Sequence, residues 1–257
     1  MKNSVLNRLV TVACLVTVFA ACKSGGFRED PILRLSAAES LAEGKRLFDL
    51  EKFDRARPYL SHAFEVEPNS AAGREALLLV ADCHFQAGGD VDLIQAEAKY
   101  RDFQNRFPTS PRAAYVQFQI ALSLAERIEK AEREQAATVK ARLALEELLR
   151  LFPTSEYTPA AREKLVVVLD RLAEHESLVG RFYLRYGLPA AAAARLEGML
   201  KNFPDATHTD QALFLLAEAY EQLDRSDDAQ ATWSRLRTEY PESKWTAKIR
   251  RDKGASV

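Results

Sequence analysis

The residues able to do chemistry are few and scattered. The four histidines, His62, His84, His175 and His208, never fall within metal-ligand spacing of one another. His175 stands between Glu174 and Glu176, a grouping that can supply a base or a ligand but suits the solvated face of a helix better. The chain has no H-E-x-x-H, G-x-S-x-G, G-x-x-x-x-G-K or G-x-G-x-x-G motif, so metalloprotease, hydrolase and nucleotide-loop chemistry leave no local signature. Three cysteines, Cys14, Cys22 and Cys83, exclude a disulfide scaffold and a cysteine-rich zinc module. Cys83 follows Leu79 and Val80 by one turn and reads as a packed thiol. With 36 Lys+Arg against 37 Asp+Glu, no net field draws nucleic acid. The expectation is a protein without a catalytic site, metal or diffusible cofactor.

The amino-terminal region has a different purpose. Lys2 and Arg8 precede thirteen uncharged residues, Leu9 to Ala21. A helix of that length spans about 20 Å, short of the roughly 30 Å hydrocarbon core, so it reads as a signal-peptide apolar region. The residues Phe19-Ala20-Ala21-Cys22 that end it resemble the lipobox of bacterial lipoproteins. That resemblance implies cleavage before Cys22, a covalent lipid on its thiol and, with Lys23 rather than aspartate next, sorting to the outer membrane. Residues 1–21 are then a signal peptide and 22–35 a lipid-anchored stalk, which Gly25-Gly26 and Pro31 favour as extended.

The elements that must position any functional surface emerge from a repeat. Prolines 68, 108, 153, 204 and 241 recur at spacings of 40, 45, 51 and 37, in V-E-P-N-S, R-F-P-T-S, L-F-P-T-S, N-F-P-D-A and E-Y-P-E-S. Gly44, Leu47, Ala56, Leu60 and Ala63 before Pro68 match Gly180, Tyr183, Ala192, Leu196 and Met199 before Pro204, and Leu213, Ala217, Tyr220, Ala229, Trp233 and Leu236 continue the pattern before Pro241. This is the helix–turn–helix pattern of the tetratricopeptide repeat, with insertions at Gly88-Gly89-Asp90 and Glu126–Gln135. The fold expected is all-α, a superhelix of about five helix pairs. Ser36 and Glu39 form a capping box, and Ser110-Pro111 and Thr158-Pro159 place proline at the first helical position. From Pro159 to Tyr186 the apolar residues Leu165, Val168, Leu169, Leu172, Val179, Tyr183 and Tyr186 recur at helical spacing. One helix of about 27 residues, roughly 40 Å, should join the ends of the array. Residues 36–155 form the first repeat units, 156–251 the second set and 252–257 a tail.

Two charged runs remain. The alternating signs of Glu126–Arg133 predict an exposed helix, and the basic Lys244–Lys253 with Trp245 predicts a short helix capping the last unit. In the repeat pattern, the first helix of each pair lines a concave side. Leu41, Lys45 and Phe48, then Leu78, Asp82 and Phe85, then Tyr115, Phe118 and Leu122 fall at its groove-facing places. Core packing is the open alternative for each, and as a set they suit an extended client peptide.

The run Arg171–Asp205, preceded by L-F-P-T-S-E-Y-T, resembles the BamD family, the tetratricopeptide lipoproteins of the β-barrel assembly machinery. The resemblance implies a scaffold on the periplasmic face of the outer membrane that binds BamA, other Bam lipoproteins and unfolded outer-membrane proteins. It points to Arg195, Glu197 and Arg181 as docking residues and to the groove for clients. An envelope adaptor for peptidoglycan or cell-division factors is the alternative. Replacing Cys22 with serine should abolish incorporation of labelled palmitate and release the protein to the soluble periplasm; unchanged membrane association without label in the wild type would remove the anchor.

Overall fold

A computed structural model describes residues 30–253, so the signal peptide and Cys22 lie outside the described residues. The described chain is helical throughout. Its first pair is α1 (Ala37–Asp49) and α2 (Phe53–Val66), and its second α3 (Ala71–Ala87) and α4 (Gly89–Arg106). The third is α5 (Ala113–Ala125) and α6 (Ala136–Leu151), and the fourth α7 (Thr158–Arg185) and α8 (Pro189–Asn202). The fifth is α9 (Thr209–Gln222) and α10 (Ser226–Glu239), covered by α11 (Lys244–Lys253). From α1 to α10 each helix packs on the next in sequence, α11 packs on α9, and the first helices of neighbouring pairs also touch at α1–α3, α5–α7 and α7–α9. The five pairs expected from the repeated prolines are present among the described residues.

Those prolines act through the residue before them. Proline Cδ crowds the preceding backbone and disfavours the helical region there. Glu67, Phe107, Phe152, Phe203 and Tyr240 each end a second helix with φ between −138° and −129° and ψ between 59° and 69°. Each then accepts a turn hydrogen bond three residues on, from Ser70, Ser110, Ser155, Ala206 and Ser243 at 3.0–3.2 Å. The same turn, with proline at its second position, thus reverses the chain five times. All four of the serines continue the work. Ser70 Oγ caps α3 by accepting from Gly73 N at 2.9 Å, and the Ser110, Ser155 and Ser243 hydroxyls accept from Arg112, Tyr157 and Trp245 N at 3.0–3.2 Å.

Local expectations fared unevenly. The capping box is present: Ser36 N donates to Glu39 Oε2 at 2.9 Å and Glu39 N to Ser36 Oγ at 3.3 Å. The bond from Ser36 N, with a second from the Ser36 hydroxyl to the same oxygen at 2.7 Å, holds the Glu39 carboxyl below its ordinary value. Proline is second in α7, behind Thr158. Pro111 instead lies in a turn closed by Ala113 N to Ser110 O at 3.0 Å, and α5 starts only at Ala113. Before α1, the end of the stretch read as a stalk is a 3-10 turn, Pro31–Arg34, followed by Leu35, whose carbonyl accepts from the buried His62 Nε2 at 3.1 Å. Gly88 and Gly89, at φ 70° and 76°, let α3 and α4 turn with no further linker.

The apolar core runs along the array. Leu47, Leu60, Val80 and Cys83 centre its first part, and Tyr100, Ile120, Leu145 and Val168 its second. Leu196, Met199, Leu213 and Trp233 belong to the third. Phe64 adjoins the first two, and α7 supplies Ala161 and Val168 to the second and Ala173 to the third. At 28 residues, α7 is the helix that ties the halves together. Cys83 is fully buried, and desolvation pushes its thiol up to about 12, so it behaves as a small hydrophobe.

Glycine sets the closest approaches. A Cβ on Gly180 would stand 2.7 Å from Leu196 Cγ, and one on Gly44 2.5 Å from Leu60 Cδ2. At Gly73 the obstacle is the Glu67 backbone carbonyl. A leucine end can rotate away, whereas the carbonyl belongs to the proline turn. Gly73→Ala should therefore lower stability by about 1–3 kcal/mol. Gly180→Ala should cost less, because alanine regains about 1 kcal/mol of helix propensity. Thermal unfolding by circular dichroism ranks the two, and equal melting points would remove this account.

Candidate binding surfaces

The first surface is the shared face of α1, α3 and α5. Leu41 and Phe48 are half-buried in the first core region, with Phe48 edge-on to Phe53 at 5.4 Å. Lys45 is ion-paired to Glu75 at 2.6 Å across α1 and α3. Leu78, only 4% exposed, is a core residue first, although it floors a cleft of about 350 Å³ between α3 and the turn before α5. Phe85 is half-buried against the second core region. Phe118 stacks on Tyr157 at 5.4 Å, and Tyr115 meets the same ring at 5.8 Å. The set is thus packed on one side and open on the other.

At its centre lies a polar cluster that residue types alone did not reveal. The Tyr100 hydroxyl, on α4, donates to Asp82 Oδ1 at 2.6 Å, and the Tyr115 hydroxyl, on α5, to the same oxygen at 2.7 Å. One carboxylate therefore links three helices. Burial raises the Asp82 carboxyl above its ordinary value, even though both phenols and the Arg112 charge pull it down. Desolvation and the adjacent carboxylate push both phenols up in turn.

The second surface belongs to the exposed end of α7. Of its apolar series, Val168 and Leu172 are buried but Tyr186 is 64% exposed, and Phe182, outside that series, is 52% exposed. Tyr186, expected on the buried stripe, instead follows the last residue of α7 on an exposed side and packs on Phe182 at 4.5 Å. Ala131, His175, Arg181, Phe182, Tyr183 and Arg185 line a neighbouring cleft of about 360 Å³. One wall comes from residues 126–135, where a helix was expected. They form an irregular connection because their charges pair outward, Arg127 with Glu97 of α4 at 3.1 Å and Glu126 with Lys164 of α7 at 3.0 Å. His175 is not on a solvated face: it is half-buried, and its Nδ1 donates to the carbonyl of buried Ala131 at 2.7 Å.

The three residues singled out for docking do not converge. Arg181 is exposed on the cleft. Arg195 Nη1 pairs with Glu176 Oε2 of α7 at 3.2 Å. Glu197, two residues on, accepts from the Tyr220 hydroxyl of α9 at 2.7 Å, with Arg225 at 3.8 Å. At the far end, α11 caps the last pair through buried Ile249 and through Trp245, 4.9 Å from Phe214, with Lys248 Nζ over the Phe214 ring at 4.5 Å. Among the described residues, no group of His, Cys, Asp and Glu is placed to hold a metal ion, and no helix is long and apolar enough to cross a membrane.

Stacked helix pairs with two partly apolar, partly charged surfaces define a tetratricopeptide-type repeat protein, a class that works by binding. Within that class the chain belongs to the YfiO family of outer membrane lipoproteins, whose sequence profile matches residues 35–236. The outer membrane protein assembly factor BamD of Caulobacter vibrioides is 28% identical over 239 residues, covering 92% of this chain and 77% of the relative. BamD of Rickettsia prowazekii is 29% identical over 244 residues, covering 93% and 94%. Among solved structures, the TPR2AB domain–pHSP90 complex of yeast Sti1 aligns with a TM-score of 0.42 and 17% identity over 86% of each chain.

The polar cluster has a pH signature. A carboxyl whose folded pKa lies above its unfolded value costs stability once ionised. That cost is absent below the unfolded value, about pH 4, and grows as pH rises towards the folded one. An asparagine in place of Asp82 would accept the same two phenol hydrogen bonds without the charge. Asp82→Asn should thus be at least as stable as the wild type at neutral pH, with a flatter pH profile above about pH 4. Urea titrations across that range check it, and a variant clearly less stable at neutral pH would contradict it.

Proposed function

We propose that this chain is a non-enzymatic, lipid-anchored scaffold of outer-membrane protein assembly. It is held at the periplasmic face of the outer membrane by Cys22, docks a BamA-type barrel protein through its second half, and offers the face of α1, α3 and α5 to unfolded outer-membrane proteins. Relatives along most of its length are named as outer membrane protein assembly factors, which supports the reading.

The observation that carries the docking half is the exposed aromatic side at the end of α7. Phe182 and Tyr186, both more than half exposed, stand beside Arg181 and Arg185 at the mouth of a cleft. Aromatic and arginine side chains are the types that supply most binding energy at protein interfaces. A packed core would have taken Phe182 in, and a purely solvated helix end would not carry it. Arg195, on α8 and already held by Glu176 of α7, is a preoriented guanidinium able to take a partner carboxylate in two-pronged fashion.

Capture of BamA from detergent-solubilised envelopes tests the proposal. Phe182→Ala should lower affinity by about 2 kcal/mol or more, roughly thirtyfold, with helix content intact. Arg195→Glu should weaken capture as well, since reversing one partner of a desolvated pair costs about 2–5 kcal/mol. Full capture by a folded Arg195→Glu variant would take that residue out of the interface. Failure of the wild type to capture BamA at all would overturn the docking assignment.

A further inference from the structure

Two guanidinium groups at the end of α7 lack a carboxylate. Several arginines of the same half are engaged, Arg171 with Glu174 at 2.8 Å, Arg195 with Glu176 at 3.2 Å and Arg235 with Glu239 at 2.9 Å. Arg181 and Arg185 are both exposed, and neither makes an ion pair among the described residues. One turn apart on α7, they line the same cleft of about 360 Å³. Glu132, the acid that lines it with them, pairs with neither. Two positive charges and one negative therefore face a shared opening.

Like charges four residues apart on a helix repel. Arg185, in the last turn, is favoured there by the helix dipole, whereas Arg181 lies before that turn. Phe182, 52% exposed, stands between them in sequence, and half-buried Leu178 and Val179 line the recess beside it. The facing wall is preformed. His175 Nδ1 donates to the Ala131 carbonyl at 2.7 Å, and the Arg127–Glu97 and Glu126–Lys164 pairs tie the rest of that connection to α4 and α7. A fixed recess with apolar lining and two unpaired guanidiniums suits a segment that puts an apolar side chain inside and a carboxylate at the mouth. The planar guanidinium takes such a carboxylate through two parallel N–H donors. Recruitment to a lipid surface uses clusters of about four to eight Lys and Arg, and this cleft offers two.

We infer that Arg181 and Arg185 form a carboxylate-binding subsite, which takes an aspartate or glutamate that the docking partner presents beside an apolar side chain seated against Leu178, Val179 and Phe182. The inference rests on the proposal that the end of α7 docks a BamA-type protein, and adds the chemistry of the segment that binds there. The subsite is separate from Arg195, which is held by Glu176 and does not line this cleft. His175 is a positioning residue that holds the wall through Ala131.

The test uses the full-length protein and full-length BamA in detergent micelles, with affinity measured at about 50 and 300 mM NaCl, because salt screens exposed charges. Wild-type affinity should fall as salt rises. The Arg181→Gln/Arg185→Gln variant should bind roughly tenfold more weakly at low salt, as expected for loss of a charge-assisted contact, and its affinity should change little with salt. Arg181→Lys/Arg185→Lys, which keeps both charges, should keep the salt dependence; it serves as the second variant if the glutamine pair folds poorly. Wild-type affinity in the glutamine variant, or an equal loss at both salt concentrations, overturns the subsite alone and leaves docking through Phe182 standing. A lipid source is tested with the Cys22→Ser protein and phosphatidylglycerol vesicles: flotation that requires the two arginines would assign them to headgroups and overturn the subsite. Failure of the wild type to bind BamA at either salt concentration would remove the docking surface and the subsite together.

Discussion

Proline Cδ cannot share space with a helical residue before it, and this chain meets that conflict five times. Each time the preceding residue leaves the helix with nearly the same pair of dihedrals, the carbonyl closes the same turn, and the next helix starts a few residues later. Everything else depends on this recurrence. A helix pair cannot bury its own apolar face, so a core exists only if successive pairs leave the turn in directions that let them stack. Four of the five pre-proline residues are aromatic, and Phe107, Phe152, Phe203 and Tyr240 pack against the core. The stop signal thereby also anchors the turn, and Gly73 is glycine because its helix must pass the carbonyl that closes the first one.

Within that frame, the two halves make different use of their first helices. In the first half α1, α3 and α5 are of ordinary length, and the space between them is bridged by polar contacts: Lys45 to Glu75, and Asp82 to two tyrosines. A half-buried carboxylate held by phenols rather than by a cation is poorly compensated, and burial therefore raises it above its ordinary value. In the second half α7 is longer. Its 28 residues span two core regions, and in its final turn Tyr183 and Leu184 pack against the core while Phe182 and Arg185 face outward. The connection from 126 to 135 closes one side of that surface, tied to α4 and α7 by ion pairs and to His175 by the Ala131 carbonyl.

The helix pairs, the length of α7 and the buried thiol of Cys83 were legible from local rules, because proline, glycine and apolar periodicity act within a few residues of themselves. The charged run at 126–133 misled for the same reason. Its alternating signs satisfy the i,i+4 rule, but opposite charges on α4 and α7 compete for the same side chains, and only Arg133 keeps its within-run partner, Glu129 at 2.6 Å. Pro111 illustrates a second limit: proline suits both the first position of a helix and a turn, and the hydrogen bond from Ala113 to Ser110 decides for the turn.

The sequence by itself determined an all-helical array of five pairs and where each pair turns. It also determined that no motif for catalysis is present. Only the tertiary structure decided which apolar residues are core and which are surface. Leu78 and Phe182 both sit in helices rich in apolar residues, yet one is 4% and the other 52% exposed, since exposure depends on which side of a helix its neighbours pack against. It decided as well that Asp82, Tyr100 and Tyr115 meet, although 18 and 33 residues separate the aspartate from its partners. Turns and helices are set by steric conflicts between adjacent residues. Surfaces and polar clusters are set by how stacked pairs come to rest, and no local pattern records that.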